Sequence, residues 1–263
     1  PQPAAAAEGE EAPAADPAAP TEEDGAVYRV ARFVIEYHTP HPAHPPIDDL
    51  LNTSVRLGVL PNGYIAPRAG VPTTVIRIGD VVEAGGADFY RSGINQVGRA
   101  LVAEMNRRGL IGIFVQLNPE DVDEITGDDL REAEQQDLRL IVWTGIISDL
   151  RTIASGDRLA ERNEAGERVI AQTVNNPDKV HARIREQSPV QPGGLVRRDQ
   201  MDDFMFRLNR HPGRRVDAAL APGEEPGEVV LDYLISESKP WTIYAQLSNT
   251  GTEATGEWRQ RFG

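Results

Sequence analysis

The clearest alternation of apolar and polar positions lies in the last third of the chain. Asp199 is a suitable helix N-cap, and the residues after it repeat at the spacing i, i+3, i+4, i+7, which predicts one apolar helix stripe: Met201, Phe204, Met205 and Leu208. Pro212 and Gly213 should end this helix, because Pro cannot continue it and Gly accepts a left-handed turn. Two strands are predicted next, over residues 214–221 and 229–235, joined by the Pro- and Gly-rich turn 222–227.

A second hairpin of a different kind is predicted from residue 241 onward. Odd positions are apolar and even positions are polar over residues 241–248, and a similar alternation returns over residues 258–262 after a turn at 249–252. Apolar-out alternation with aromatic residues at the margins is typical of a transmembrane β-barrel. We therefore predict that five residues lie at a membrane interface: Trp241, Ile243, Leu247, Trp258 and Phe262.

Several short segments, taken in order, resemble one family of membrane proteins. They are residues 208–216 (Leu-Asn-Arg-His-Pro-Gly-Arg-Arg-Val), Pro222-Gly223, Lys239-Pro240-Trp241, residues 248–251 (Ser-Asn-Thr-Gly) and Thr255-Gly256. In this order they resemble the two-partner-secretion outer-membrane transporters, also called haemolysin secretion/activation proteins. The resemblance covers about residues 137–263 and is weak over 28–136. It implies two periplasmic POTRA domains followed by a β-barrel.

The predicted fold class is α+β, with two tandem POTRA-like domains, each a mixed three-stranded sheet with helices on one face. Residues 1–26 are predicted to be a disordered tail, 27–145 the first domain, 146–240 the second domain, and 241–263 the truncated first hairpin of the barrel. The tail is rich in Ala, Pro, Glu and Asp and has no branched apolar residue, so it cannot bury enough surface to fold. Residues 156–178 are polar and are expected to form a long loop.

The first domain is less regular than the second. A helix should start at Asp88, with an apolar stripe that includes Phe89 and ends before Gly109. Strands are predicted over residues 111–117 and 138–143. Residues 55–60 and 73–78 also have strand character, which exceeds the usual POTRA plan, so an insertion or a replaced first helix is expected within residues 50–86. The acid-rich stretch 120–136 is interpreted as a solvated connector.

Composition narrows the chemistry further. The chain has no cysteine, which excludes thiol nucleophiles, thiolate metal sites and disulfides. The formal charge of −14 argues against a nucleic-acid partner, and no run of about 18 apolar residues predicts a membrane helix. His38, His41 and His44 would share one side of a polyproline II helix, but no carboxylate is fixed beside them, so no metal site is predicted. No catalytic motif is present, and we expect neither an enzyme nor a cofactor.

The resemblance implies a function in protein transport. The domains would lie at the periplasmic face of the outer membrane, receive an unfolded secreted passenger polypeptide, and feed it to a pore that contacts outer-membrane lipid. In the POTRA plan that the resemblance implies, the strand that comes second in sequence order lies at an edge of the three-stranded sheet. An extended client can add a strand at such an edge through main-chain hydrogen bonds. We predict that the protein is a monomer. We also predict that the client binds eight residues on these edges: Arg214, Arg215, Val216, Ala218, Leu220, Ile111, Ile113 and Val115.

Two alternative functions stay open at this stage, and so does the role of a cluster of arginines. The chain could belong to an outer-membrane barrel-assembly factor, or it could be a soluble periplasmic scaffold or interaction module whose last hairpin is ordinary domain structure. Six arginines within residues 197–215 could form a basic patch for lipid phosphates or an acidic client, or they could balance neighbouring aspartates on a solvated helix face.

Overall fold

The structure is a computed structural model in which the chain forms two compact units. It describes residues 19–123, 125–132, 134–155, 161–162, 168–169, 173–175, 179–237, 243–249 and 258–263. Unit 1 contains residues 1–108 and 113–144, and unit 2 contains residues 109–112 and 145–263. The predicted tail lies mostly outside the described residues. Its end differs from the prediction, because Glu22–Asp24 forms a 3₁₀ turn in which Asp24 is buried and bonded to Arg68.

Unit 1 holds the first eight strands and the first three helices. The helices are α1 (Ile47–Leu51), α2 (Asp80–Glu83) and α3 (Arg91–Arg107). The strands are β1 (Val27–Val30), β2 (Arg32–Tyr37), β3 (Ser54–Leu60), β4 (Gly63–Ile65), β5 (Thr73–Arg77), β6 (Ala87–Tyr90), β7 (Ile113–Leu117) and β8 (Asp137–Thr144).

A three-stranded mixed sheet in the order β2-β8-β7 corresponds to the sheet predicted for the first domain. β8 lies in the middle, parallel to β2 and antiparallel to β7. Every second residue of β8 is buried, which is the period that places one sheet face against the core. α3 packs on β7 and buries its apolar stripe, including Val97, Leu101 and Met105. β7 is consequently an edge strand, as predicted for the middle strand in sequence.

The expected insertion in residues 50–86 is part of a second sheet. This five-stranded sheet has the order β1-β6-β4-β3-β5, and the two predicted strands pair with each other as β3 and β5. The predicted helix start at Asp88 is wrong. Phe89 lies instead in strand β6, opposite Tyr28 of β1, and the helix begins only at Arg91. Pairing with a distant strand overrides the helical spacing at these positions.

The interpretation of residues 120–136 as a solvated connector is also wrong at its start. Asp121 is 1% exposed. Its carboxylate accepts hydrogen bonds from the Arg139 backbone N–H at 2.8 Å and from the Arg139 guanidinium Nη2 at 2.6 Å. A buried carboxylate requires such pairing, since an unpaired charge in the interior is costly. This ion pair fastens the connector to β8.

Among its described residues, unit 2 holds eight further strands and two further helices. The helices are α4 (Lys179–Gln187) and α5 (Arg198–Asn209). The strands are β9 (Ile146–Ser155), β10 (Glu161–Arg162), β11 (Arg168–Val169), β12 (Thr173–Val174), β13 (Arg214–Pro222), β14 (Glu228–Glu237), β15 (Ala245–Ser248) and β16 (Arg259–Phe262). The region predicted as a long loop, 156–178, therefore contains three short strands among its described residues.

The main sheet of unit 2 has the order β12-β9-β14-β13. β14 runs parallel to β9 and antiparallel to β13, so β13 is an edge strand. α5 packs on β13 and forms the predicted helix, although its N-cap is Arg197 rather than Asp199. The core lies between α5 and this sheet and includes Met201, Phe204, Val216, Leu231 and Tyr233.

Ile111 is misplaced in the sequence prediction. We expected it in the first domain's edge strand with Ile113 and Val115, but β7 begins only at Ile113. Ile111 lies in the four-residue segment assigned to unit 2, where its N–H donates to the Val196 carbonyl at 3.2 Å and its side chain packs against the unit 2 core. Gly112 lies between Ile111 and Ile113 and has a φ of +75°, a backbone conformation that favours glycine.

Replacing Phe204 tests the orientation of α5. Phe204 is 4% exposed and meets Tyr233 edge-on at a ring-centroid distance of 5.6 Å. We expect Phe204→Ala to lower the free energy of unfolding by ~3–5 kcal/mol, because it leaves a cavity in the core. Phe206→Ala is the matched control, since Phe206 lies on the same helix but is 69% exposed, and it should change stability by less than ~1 kcal/mol. Urea unfolding measures both, and equal losses would contradict this packing.

Candidate functional site

Strand β13 has one side that β14 does not use. In an antiparallel pair, successive residues direct their backbone N–H and C=O groups alternately toward and away from the partner strand. The Val216 N–H donates to Asn209 Oδ1 at 2.7 Å, and the Val216 carbonyl accepts from Asn209 Nδ2 at 2.9 Å. The backbone groups of Val216 therefore point away from β14, and those of Ala218 and Leu220 point the same way.

An apolar groove runs beside this free side of β13. Its volume is about 560 Å³, and its main lining side chains come from β13, α5 and the segment that carries Ile111. The apolar ones are Ile111, Val196, Met201, Met205, Ala218 and Leu220, and the charged side chains of Arg198 and Asp202 line the groove as well. Methionine has three rotatable bonds and a polarizable sulfur, so it adapts to ligands of different shape. An extended chain paired with β13 would direct every second side chain into this groove.

Unit 1 repeats the arrangement on β7. The Asn118 N–H donates to the Arg139 carbonyl of β8 at 3.0 Å, so the even-numbered residues of this strand face β8. The backbone groups of Ile113, Val115 and Leu117 consequently point outward. A groove of about 400 Å³ lies between β7 and α3. Gly98 of α3 faces this strand, since a Cβ there would lie 3.6 Å from Val115 Cγ1.

The predicted client-binding residues of unit 2 fall into two groups. Ala218 and Leu220 lie on the free edge and line the groove. Arg214 bonds Glu237 at 2.8 Å with both side chains largely buried, Arg215 bonds Asp217 at 3.2 Å, and Val216 is 0% exposed. The arginines at the start of the strand are thus paired with carboxylates of the same sheet, and not with aspartates of a helix face as the charge-balancing alternative supposed.

Two features of this site were not assigned to it from the sequence. Met201 and Met205 were recognised only as part of the core stripe, yet both also line the groove. Asn209 was noted only as part of the segment 208–216 that carries the family resemblance. A sequence signal for the contact between Asn209 and β13 does exist. Asn209 can both accept and donate hydrogen bonds, and it lies just before a Pro-Gly turn that reverses the chain.

The predicted membrane-facing hairpin is present as β15 and β16. Ala245 pairs with Phe262 and Leu247 with Gln260, so the apolar positions of both strands share one face. Ile243, Leu247, Trp258 and Phe262 are all exposed on it. Trp241 lies outside the described residues. Among the residues that the structure describes, no helix has the length and apolar character needed to cross a membrane.

The three histidines of residues 38–44 lie among aromatic rings of unit 1. His38 stacks on Trp143 at a centroid distance of 3.4 Å, and His44 stacks on Tyr37 at 3.9 Å. His44 Nε2 lies 2.9 Å from Thr144 Oγ1. Within the described ranges, no group of three His, Asp or Glu side chains is arranged to hold a metal ion. Burial, and to a lesser extent the proximity of His41, lowers the pKa of His44 to about 4.

Comparisons with known proteins point to one kind of transporter. No family model matches the chain. A 71-residue stretch, 26% of the chain, is 35% identical to the outer membrane transporter CdiB-2 of Burkholderia pseudomallei (strain 1026b) and covers 12% of it. An 85-residue stretch, 32% of the chain, is 27% identical to the outer membrane transporter CdiB of Dickeya dadantii (strain 3937) and covers 15% of it. The matched part of the chain thus spans about an eighth of the length of these relatives.

Similar solved structures include two that cover most of the chain. CdiB from Escherichia coli matches at 15% identity and a TM-score of 0.47, over 89% of this chain and 32% of that one. POTRA1-3 of the periplasmic domain of Omp85 from Anabaena matches at 14% identity and a TM-score of 0.46, over 81% of this chain and 66% of that one. The resemblance to two-partner-secretion outer-membrane transporters, stated above from the sequence, is confirmed by the matches to the curated relatives.

The buried environment of His44 predicts a pH dependence of unit 1. An unfolded histidine titrates near 6.5, whereas folded His44 titrates at about 4, so the unfolded state binds more protons between these values. The stability contributed by neutral His44 should be lost as pH falls from 6.5 toward 4. We expect His44→Gln to flatten this dependence in urea unfolding at several pH values. An unchanged slope would mean that His44 does not experience this burial.

Proposed function

We propose that both units bind unfolded polypeptide by adding it as a strand to β13 and β7, as the non-catalytic, periplasmic receiving part of an outer-membrane secretion pore. The observation that carries the proposal is the free side of β13 beside its apolar groove. Main-chain hydrogen bonds would supply affinity without demanding a fixed sequence, and the groove would favour apolar side chains at alternate positions. The similarity to outer membrane transporters supports the cellular setting.

The repeated arrangement strengthens the proposal. Each unit presents an edge strand, a long helix that packs on it and an apolar groove between the two. Proteins usually protect their edge strands, because unpaired backbone groups invite another chain. A protein that leaves two such edges open, each beside a groove, has features suited to receiving extended segments. The exposed apolar face of the β15–β16 hairpin would lie toward outer-membrane lipid in this setting.

A pair of proline variants on neighbouring residues tests the proposal. The Ala218 N–H points outward and the Ala219 N–H points toward β14, opposite Asp232. Ala218→Pro removes a donor that only the client would use, so the melting temperature should hold while affinity for an unfolded polypeptide falls about three- to tenfold, the effect of one net hydrogen bond. Ala219→Pro removes a ladder bond and should lower the melting temperature.

The probe is reduced, carboxymethylated lactalbumin, which stays unfolded in buffer, and binding is followed by fluorescence anisotropy. The two alanines are neighbours of the same type in one strand, so each variant is the control of the other. Two folded variants that bind like the parent would exclude strand addition at β13. The same comparison at Val115→Pro and Gln116→Pro then tests the edge of unit 1.

A further inference from the structure

The Asn209 side chain imitates a short piece of a neighbouring strand. Asn209 is the last residue of α5, and its carboxamide both accepts from the Val216 N–H and donates to the Val216 carbonyl, at 2.7 and 2.9 Å. A residue of an added strand would make the same two bonds to an outward-facing residue of β13. The carboxamide therefore occupies the position that the client backbone would need opposite Val216.

The outward groups on either side of Val216 define what remains open. At the start of β13, the Arg214 N–H already donates to the His211 carbonyl at 3.2 Å. At the end of the strand, Pro222 has no N–H to offer. Between them, the outward N–H and C=O groups of Ala218 and Leu220 have no hydrogen-bond partner among the described residues. The part of this edge at which both the N–H and the C=O are open is thus two residues long, although the strand spans nine.

We propose that Asn209 is a register stop that confines a bound client to Ala218 and Leu220. This inference rests on the proposed function and refines it. The two client residues directly opposite Ala218 and Leu220 would direct their side chains into the groove lined by Met201 and Met205, since directly paired residues share a sheet face. The favoured client is a short extended segment with apolar residues two positions apart, and it cannot continue past Val216 while Asn209 holds its two bonds.

Asn209 acts on the client only by occupying Val216, so it is a positioning residue. A purely structural role, in which the side chain only ties the end of α5 to β13, makes a different prediction. It would alter stability without altering which residues of β13 pair with the client. The test therefore reads the boundary of the bound segment residue by residue.

Amide hydrogen exchange followed by NMR supplies that readout, with the full chain and carboxymethylated lactalbumin as the probe. In the free protein we expect slow exchange at Val216 and faster exchange at Ala218 and Leu220. Saturating probe should slow the exchange of Ala218 and Leu220 at least tenfold and leave Val216 unchanged. In Asn209→Ala, Val216 should exchange fast in the free protein and become protected by the probe. Asn209→Asp keeps the acceptor for the Val216 N–H and should restore slow exchange there.

A second measurement covers the case in which Asn209→Ala weakens the fold. The chain has no cysteine, so single cysteines report position without background. Arg215 and Ala219 have backbone groups that point toward β14, and at such positions a paired client side chain comes closest. The probe for this measurement is lactalbumin that keeps one free cysteine and is otherwise carboxymethylated, with dissolved oxygen as the oxidant, and Ala219→Cys should form a disulfide with it in both backgrounds. Arg215→Cys should do so only together with Asn209→Ala or, more weakly, Asn209→Asp.

The outcomes separate the two proposals. Probe-induced protection or cross-linking that reaches Val216 and Arg215 in the parent chain would overturn the register stop and leave strand addition standing. The same would hold if Asn209→Ala left the boundary where it was. Absence of any probe effect at Ala218 and Leu220 in the parent would overturn strand addition at β13, and the register stop with it.

Discussion

The contact on which unit 2 depends is the seating of α5 against Tyr233. This side chain is fully buried on β14, meets Phe204 edge-on, and places its hydroxyl 2.8 Å from Ser188 Oγ and 3.6 Å from Met201 Sδ. Burial raises the pKa of the Tyr233 hydroxyl, which therefore stays protonated. A hydroxyl can donate one hydrogen bond and also accept, so it can contact Ser188 and Met201 at the same time. Because Tyr233 lies opposite Ala218 in the sheet, the same contact fixes how far α5 stands from the free side of β13.

The separation between α5 and β13 decides whether the outward backbone groups of β13 are bonded or free. At Val216 the end of α5 comes near enough for Asn209 to bond the backbone, and Val216 is buried. At Leu220, two outward positions further along, the groove separates helix and strand and the side chain is partly exposed. The end of α5 therefore protects one part of the edge and leaves another part available. The length of free edge follows from the packing of the core.

The sequence predicted the elements whose side chains contact one another within a few turns or across one hairpin. The stripe of α5 and the alternation of β13 and β14 are such cases, and all three are confirmed. The predictions failed where a distant partner decides the structure. Phe89 has helical spacing but pairs with β1, Asp121 lies in an acid-rich run but is buried by Arg139, and Ile111 continues the alternation of β7 but packs in unit 2. None of these partners lies near its residue in the sequence, so local periodicity cannot identify them.

In the candidate site, too, local patterns could be predicted from the sequence and contacts with distant residues could not. Ala218, Leu220, Ile113 and Val115 could be placed on edge strands from alternation together with the implied POTRA plan. The role of the arginines could not, because a charge's availability depends on its neighbours. Arg214 forms a largely buried pair with Glu237, and Arg215 forms an exposed pair with Asp217; the sequence presents both carboxylates only as further members of an acidic chain. With these charges paired, β13 itself presents mainly unpaired backbone groups, beside a groove whose lining is mostly apolar but includes Arg198 and Asp202. Under the proposed function, backbone pairing at such an edge would select the extended state of a polypeptide rather than one fixed sequence.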